Sequence, residues 1–284
     1  MIPTAFDYQR ATSMDDALAK LAAAGGSGKL LAGGHSLIPL MKLRLSEPQI
    51  LIDIARIPEL SGIREKDGKI EIGALTVHHA VASSDLIRQQ CPVVAEAAYA
   101  IGDPQVRNRG TLGGSLAHAD PSADYPAAMI AAGAEVLVRS AKGSRSIKAE
   151  DCFVDLFTVD VAPDEIITSV VIAPSPASAY AKLYQRASHF AIVGVGASLE
   201  VSGGVITAAR VGVTGAGSHA QRLTDVEAAL AGKPATSATI EEASTGVGAG
   251  LDAVNADLHA SEEYRRAMVD VFVKRALLAA LARA

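Results

Sequence analysis

The chain has 284 residues, more than one typical folding unit, and its apolar residues are overwhelmingly Ala, Val, Leu and Ile, with 4% aromatic residues and no Trp. A formal net charge of -5 argues against nucleic acid or an acidic membrane surface as a partner. Cys91 and Cys152 stand far apart with no C-x-x-C spacing, so the chain alone supports neither an iron–sulfur cluster, which takes about four thiolates, nor a Cys-rich zinc site. Both cysteines read as buried packing residues.

The first residues, MIPTAFDYQR, lack a basic region followed by an apolar run and do not read as a signal peptide. The longest apolar stretch, Ala127 to Val138, is broken by Gly133 and Glu135 and falls short of the ~18 residues that suggest a membrane span. A cytoplasmic protein is the expectation. Ser13, with Asp15 and Asp16 behind it, predicts a helix start, and Gly25 its stop. GKLLAG then reads as a strand, SLIPLMKLRL as a helix that tolerates Pro39 only in its first turn, and QILIDI as a strand. Residues 1–55 thus predict a small β-α-β unit.

Asp67-Gly68 between alternating runs predicts a hairpin. TVHHAVAS and CPVVAEAAYAIG predict helices, with the adjacent His78 and His79 expected at the surface. Asp120-Pro121 offers an N-cap and first position for a helix that runs through Ala132 to Gly133. AEVLVRS and DEIITSVVIAP predict strands, so residues 56–175 read as a larger, mixed unit ending at the linker PSPASAY. Residues 176–284 predict a three-stranded meander with a Gly203-Gly204 turn, followed by helices, the last capped by Ser261. This third unit shows no chemistry of its own.

Two stretches draw attention. Ala32-Gly33-Gly34-His35-Ser36 leaves a strand and enters a helix, where free N–H groups and the helix dipole attract phosphate. Thr111-Leu112-Gly113-Gly114-Ser115 repeats that chemistry from the second unit. Neither is a G-x-G-x-x-G or a P-loop, but together they suit a clamp around a dinucleotide diphosphate. Asp124, early in the next helix, serves either as a first-turn acid or as acceptor for a ribose or ribityl hydroxyl. Asp120 reads as a cap. Arg107 and Arg109 either anchor the loop or help neutralise the diphosphate. His35 and His118 are too sparsely accompanied for a metal site, and Ser115, His118 and Asp120 sit too close together for a hydrolase triad.

AGGHSLIPLMKLRL and TLGGSLAHADPSADYP resemble the paired FAD motifs of the flavin-binding medium subunits of molybdenum hydroxylases, the carbon monoxide dehydrogenase and xanthine dehydrogenase type. A Y-x-K at Tyr180 to Lys182, the AIVGVGA strand and the C-terminal EEYRRAM…KRALLAAL helix extend the resemblance over the chain. It implies an α+β protein: a two-subdomain α/β FAD-binding fold followed by a C-terminal domain of antiparallel sheet plus helices. It implies that Ala32, Gly33, Gly34, His35 and Ser36, with Thr111, Gly113, Gly114 and Ser115, hold the FAD diphosphate. Leu37 and Ile101 would line the cofactor, Asp124 bond its sugar chain, Ile167 pack near the flavin ring and Lys182 approach it. Relatives often carry Asn where Ser115 stands and Asp where His189 stands, so no role passes to His189.

The same resemblance implies partners: a large molybdopterin subunit and a small subunit with two [2Fe-2S] clusters, assembled as a dimer of heterotrimers. Electrons would pass from molybdenum through the clusters to FAD in this chain, which then needs no catalytic acid or base and no metal. A self-contained FAD-dependent reductase or oxidase of the same broad fold, and a flavin-free assembly protein, remain as alternatives. Gly33→Val and Gly114→Val are both expected to abolish FAD binding.

Overall fold

The computed structural model describes the whole chain, Met1 to Ala284. The first unit comprises β1 (Asp7–Arg10), α1 (Met14–Ala23), β2 (Gly28–Leu31), α2 (Leu37–Lys42) and β3 (Ile50–Asp53). Its three strands run parallel in the order β1-β3-β2. Ser13 caps α1 by accepting the Asp16 N–H at 3.1 Å, and Gly25 leaves the helix at φ +54°. Strand β1 corrects the β-α-β reading: it is largely exposed and carries no alternating pattern to announce it.

The second unit begins with β4 (Ile63–Lys66) and β5 (Lys69–Gly73), joined by Asp67-Gly68. Both turn residues have positive φ, 52° and 71°, as a type I′ hairpin demands. Then follow α3 (His78–Ser83), α4 (Asp85–Gln90), α5 (Pro92–Ala100), α6 (Pro104–Arg107), α7 (Leu112–His118) and α8 (Asp124–Ala131). The chain returns through β6 (Glu135–Ser140), β7 (Gly143–Lys148), α9 (Ala149–Cys152), β8 (Phe153–Asp155), β9 (Thr158–Val159) and β10 (Ile166–Ile172). The five-stranded antiparallel sheet has the order β4-β5-β10-β6-β7, and its largest apolar cluster includes Cys91 and Cys152. Burial pushes both thiols up to about 12, consistent with packing rather than reactivity.

The third unit comprises β11 (Ser178–Tyr184), β12 (Ala191–Ser202), β13 (Val205–Thr214), β14 (Gln221–Arg222), α10 (Thr224–Leu230), α11 (Ser237–Ala243) and α12 (Glu262–Leu281). Its antiparallel sheet has four strands in chain order rather than three, because Gln221 and Arg222 pair with Val213 and Gly212. Arg222 is held there by Glu227 and Glu150, a polar motive that hydropathy does not register. Ser261 caps α12 through the Tyr264 N–H at 3.2 Å, and Val269, Phe272, Val273 and Leu277 of that helix fill the core beneath the sheet.

Helix α8 ties the second and third units together, and every one of its residues is buried. Its backbone rests on Gly196 and Gly212, cross-strand partners in β12 and β13. A Cβ on Gly212 would lie 2.5 Å from the Ala127 carbonyl oxygen, and one on Gly196 2.9 Å from the same atom. The glycines therefore form a floor that lets helix and sheet touch backbone to backbone. The helix starts at Asp124, not at Pro121. The Thr214 hydroxyl shares its one proton between the carbonyls of Pro121 and Ala123, at 2.8 and 2.9 Å, while Asp120 accepts the Ser122 N–H in a tight turn before the helix. No helix is long and apolar enough to cross a membrane.

Candidate functional site

A cleft of about 770 Å³ runs between the first two units, within the range of roughly 300–1,000 Å³ typical of small-molecule sites. Ala32, Gly33, Gly34, His35, Ser36 and Leu37 line it from the β2–α2 turn, and Thr111, Gly113, Gly114 and Ser115 from the start of α7. Ile101, Asp124 and Ile167 also line it; Lys182 does not.

The β2–α2 turn is open to a ligand. The N–H groups of Ala32, Gly33, Gly34, His35, Ser36 and Leu37 donate to no protein atom, whereas the next, of Ile38, bonds the Gly34 carbonyl at 3.1 Å. Ser36 occupies the N-cap position of α2 without making a side-chain cap bond, so its hydroxyl is also left over. Gly34 has φ +79°, which bends the row of amides, and His35 Nδ1 lies 3.2 Å from the Gly33 carbonyl oxygen. Consecutive amides turned one way make a concavity for an anion.

The second loop differs from its sequence expectation. From Leu112 to Ser115 every N–H is already bonded: to Thr76 O at 3.0 Å, Ala74 O at 2.8 Å, Thr111 Oγ1 at 3.2 Å and Thr111 O at 3.0 Å. Thr111 is the N-cap of α7. Gly113 is small because α7 presses on Ala74, whose Cβ would stand 2.6 Å from a Cβ at 113. Ala74 in turn donates its N–H to the Thr168 carbonyl at 2.9 Å, exposed by a bulge in β10 between Ile167 and Ser169. This loop offers the cleft a shaped wall and the half-buried Ser115 hydroxyl, not a row of amides. The loops also touch: a Cβ on Gly33 would lie 2.2 Å from the Arg109 carbonyl oxygen.

Asp124 is 5% exposed at the first position of α8. Its carboxylate accepts the Tyr180 hydroxyl at 2.6 Å and pairs with Lys182 Nζ at 2.9 Å. Desolvation raises the Asp124 carboxyl above its ordinary value, against the pull of Lys182, and burial beside Asp124 raises the Tyr180 phenol. Lys182 also donates to Ala100 O at 2.7 Å and His189 O at 2.8 Å, which uses all three of its protons. Lys182 is thus a brace that fixes Asp124 and the ends of two loops. Arg107 is engaged elsewhere: its Nη1 donates to Ile101 O at 2.6 Å and its guanidinium lies 5.4 Å from the centre of the Tyr99 ring.

His78 is buried rather than at the surface, while His79 is exposed. Its N–H holds the Gly110 carbonyl at 3.0 Å and its ring lies 5.3 Å from that of Tyr125, beneath the second loop. Burial, helped by the charges of His35 and Arg107, pushes this imidazole down to about 4. A segment with no distinguishing sequence signal, Phe157 to Pro163, also lines the cleft, with the Phe157 ring 5.1 Å from that of His118. No group of three or more His, Cys, Asp or Glu gathers with the geometry of a metal site.

Comparison with known proteins fits this geometry. Residues 4–176 match the family model described as the FAD binding domain in molybdopterin dehydrogenase, and residues 178–280 the CO dehydrogenase flavoprotein C-terminal domain. The chain is 38% identical to the carbon monoxide dehydrogenase medium chain of Hydrogenophaga pseudoflava, covering 100% of this chain and 99% of that one. It is 39% identical to the 6-hydroxypseudooxynicotine dehydrogenase complex subunit alpha of Paenarthrobacter nicotinovorans, over 100% and 97% of the two chains. Its fold superposes on the solved Hydrogenophaga pseudoflava carbon monoxide dehydrogenase with a TM-score of 0.95 and 40% identity, covering 100% and 99%. The chain therefore belongs to the FAD-binding medium-subunit family of the molybdopterin dehydrogenases, as an oxidoreductase subunit whose cofactor is FAD.

Proposed function

We propose that the chain is the electron-transfer subunit of a cytoplasmic, heteromeric molybdenum hydroxylase. A large partner carries molybdopterin, a small partner carries [2Fe-2S] clusters, and the complex is a dimer of heterotrimers. Electrons reach FAD in this chain and leave to an external acceptor. The observation that carries the reading is the row of unbonded amides from Ala32 to Leu37 on the wall of the cleft. A dinucleotide has a diphosphate to satisfy them, and the donor set fits the group.

Bound FAD supplies the link between one-electron carriers and a two-electron reaction. The work of the chain is to bind and orient it. The Ala32 to Ser36 turn holds the diphosphate, with the Ser36 hydroxyl as a further donor, and Thr111 to Ser115 forms the adjoining wall. Leu37, Ile101 and Ile167 give the cofactor apolar contact and exclude water. Asp124, oriented by Tyr180 and Lys182, keeps acceptor capacity for a sugar-chain hydroxyl, since a carboxylate has about four lone-pair sites. Lys182 acts through Asp124 rather than on the flavin.

The test is an absorption spectrum of the untagged complex with its chains resolved. A flavin band overlaid by iron–sulfur absorbance, with one large and one small partner chain, is the expected result. A lone yellow protein that turns over a substrate by itself would instead make it a self-contained flavoenzyme. A colourless protein that ignores FAD would make it an assembly factor.

A further inference from the structure

Behind the cleft lies a second concavity, of about 1020 Å³. The two share a wall: Ala100 lines the groove, Ile101 and Gly102 line the cleft, and His189 lines both. The charges in this groove do not cancel. Its one acid, Glu96, is occupied by Arg283 and by the Tyr180 N–H at 2.8 Å. Lys182 is spent on Asp124. Arg88 and Arg107 are left. Arg88 is 60% exposed with its nearest carboxylate, Asp85, 4.0 Å away. Arg107 gives one N–H to the Ile101 carbonyl and keeps the rest of its fork. In a chain of net charge -5, this places in one recess a guanidinium with no carboxylate partner, Arg107, and another, Arg88, whose only pair is long and solvent-exposed.

The groove also exposes aromatic rings, in a chain that is only 4% aromatic. Tyr99 is 71% and Tyr184 52% exposed. Arg107 sits over Tyr99, and the His189 ring lies 5.3 Å from that of Tyr184. Exposed faces beside guanidinium forks bind a flat ring bearing an anionic group: the ring stacks and the forks take the oxygens.

We propose that this groove is a second ligand site, separate from the dinucleotide cleft, for a planar aromatic anion. The ring lies against Tyr99, and its phosphate or carboxylate is held by Arg88 and Arg107. Because Arg107 also holds the Ile101 carbonyl, occupancy is transmitted to the wall of the cleft. The proposal does not depend on what the cleft itself binds.

The experiment is calorimetric titration of the assembled, FAD-loaded complex with adenosine 5′-monophosphate and with benzoate, with adenosine and inorganic phosphate as controls lacking one half of the chemistry. The expected result is that one aromatic anion binds once per chain, about tenfold or more tighter than either control, which corresponds to about 1.4 kcal/mol. Arg88→Gln and Tyr99→Ala, both surface changes, each weaken it about tenfold while flavin content stays constant. Preference for the monophosphate identifies a nucleotide as the source of the chemistry, and preference for benzoate an aromatic carboxylate. The proposal is overturned if neither anion binds at millimolar concentration, if phosphate alone binds as well, if the variants bind unchanged, or if binding occurs only after FAD is removed.

Discussion

Ala32–Ser36 and Thr111–Ser115 are near twins as sequence, a double glycine followed closely by serine, yet the fold uses them in opposite ways. The first turn leaves its amides unbonded and needs Gly34 for a positive φ. The second spends its amides on Thr76, Ala74 and its own cap, and needs Gly113 for contact with Ala74. Even Gly33 is small for the sake of the Arg109 backbone rather than for open space. One of the pair is a ligand cradle and the other a packed wall beside it. A glycine pair in sequence does not distinguish these, because a close approach to a ligand and to another strand of backbone demand the same residue.

The strongest way to break the comparison is Gly33→Val. The new Cβ starts 2.2 Å from a backbone oxygen that no rotamer change moves. Loss of the flavin absorbance band from the purified complex is the expected outcome. Gly114→Val is the counterpart. Its Cβ meets only the Thr111 hydroxyl at 2.7 Å and Ala32 Cβ at 3.9 Å, so more flavin is retained than in Gly33→Val. The opposite order of flavin occupancy would reverse the roles assigned to the two loops.

Next in size is the brace that Lys182 gives Asp124 at the start of α8. Lys182→Met leaves the buried Asp124 charge without its cation and is expected to cost about 3–5 kcal/mol, read from denaturant unfolding. Arg64→Ala, which breaks the more exposed Arg64–Glu71 pair, is expected to cost at most about 1 kcal/mol. Similar losses for the two would show that Lys182 braces nothing.

His78, under the second loop, makes that side of the cleft pH-dependent. Its folded pKa, about 4, lies below the ordinary 6.5, so the unfolded chain binds the proton first as pH falls. The associated stability is complete above about 6.5 and is lost as pH drops toward 4. Between pH 7 and pH 5 the loss is about 2 kcal/mol, at 1.36 kcal/mol per unit. His78→Leu should flatten that part of the profile, leaving the acid limb to the carboxylates.

Much of the local structure was legible in sequence because it depends on neighbouring residues. The Asp67-Gly68 hairpin and the Ser13 and Ser261 caps need nothing from the rest of the chain. Strand β1 was missed because it is exposed; the misreadings near the site involve distant partners. Asp120 looks like an N-cap, but Thr214 grips the carbonyls on either side of Ser122 and delays the helix to Asp124. His78 looks like a surface residue until Gly110 and Tyr125 cover it. Lys182 carries no sign in sequence that Asp124, Ala100 and His189 will consume its protons. The cradle was legible as strand, Gly-Gly and helix; that the second loop kept no free amides depended partly on Thr111 within it and partly on Ala74 and Thr76, far from either motif.

The smallest predicted effect separates the two serine–threonine contributions. Thr111→Val removes the hydroxyl that accepts the Gly114 N–H at 3.2 Å while keeping the side-chain shape, and is expected to cost about 1 kcal/mol of stability, the usual worth of an N-cap. Ser36→Ala removes a hydroxyl at the equivalent position of α2 that makes no cap bond, so its unfolding midpoint without cofactor is unchanged. Its effect falls instead on FAD affinity, since that hydroxyl stands beside the unbonded amides. Paired measurements of both variants, unfolding without FAD and flavin titration, should give crossed responses: Thr111→Val chiefly in stability, Ser36→Ala chiefly in binding. If both variants respond in stability alone, the first turn is a cap like the second and the cradle must be sought elsewhere on the cleft wall.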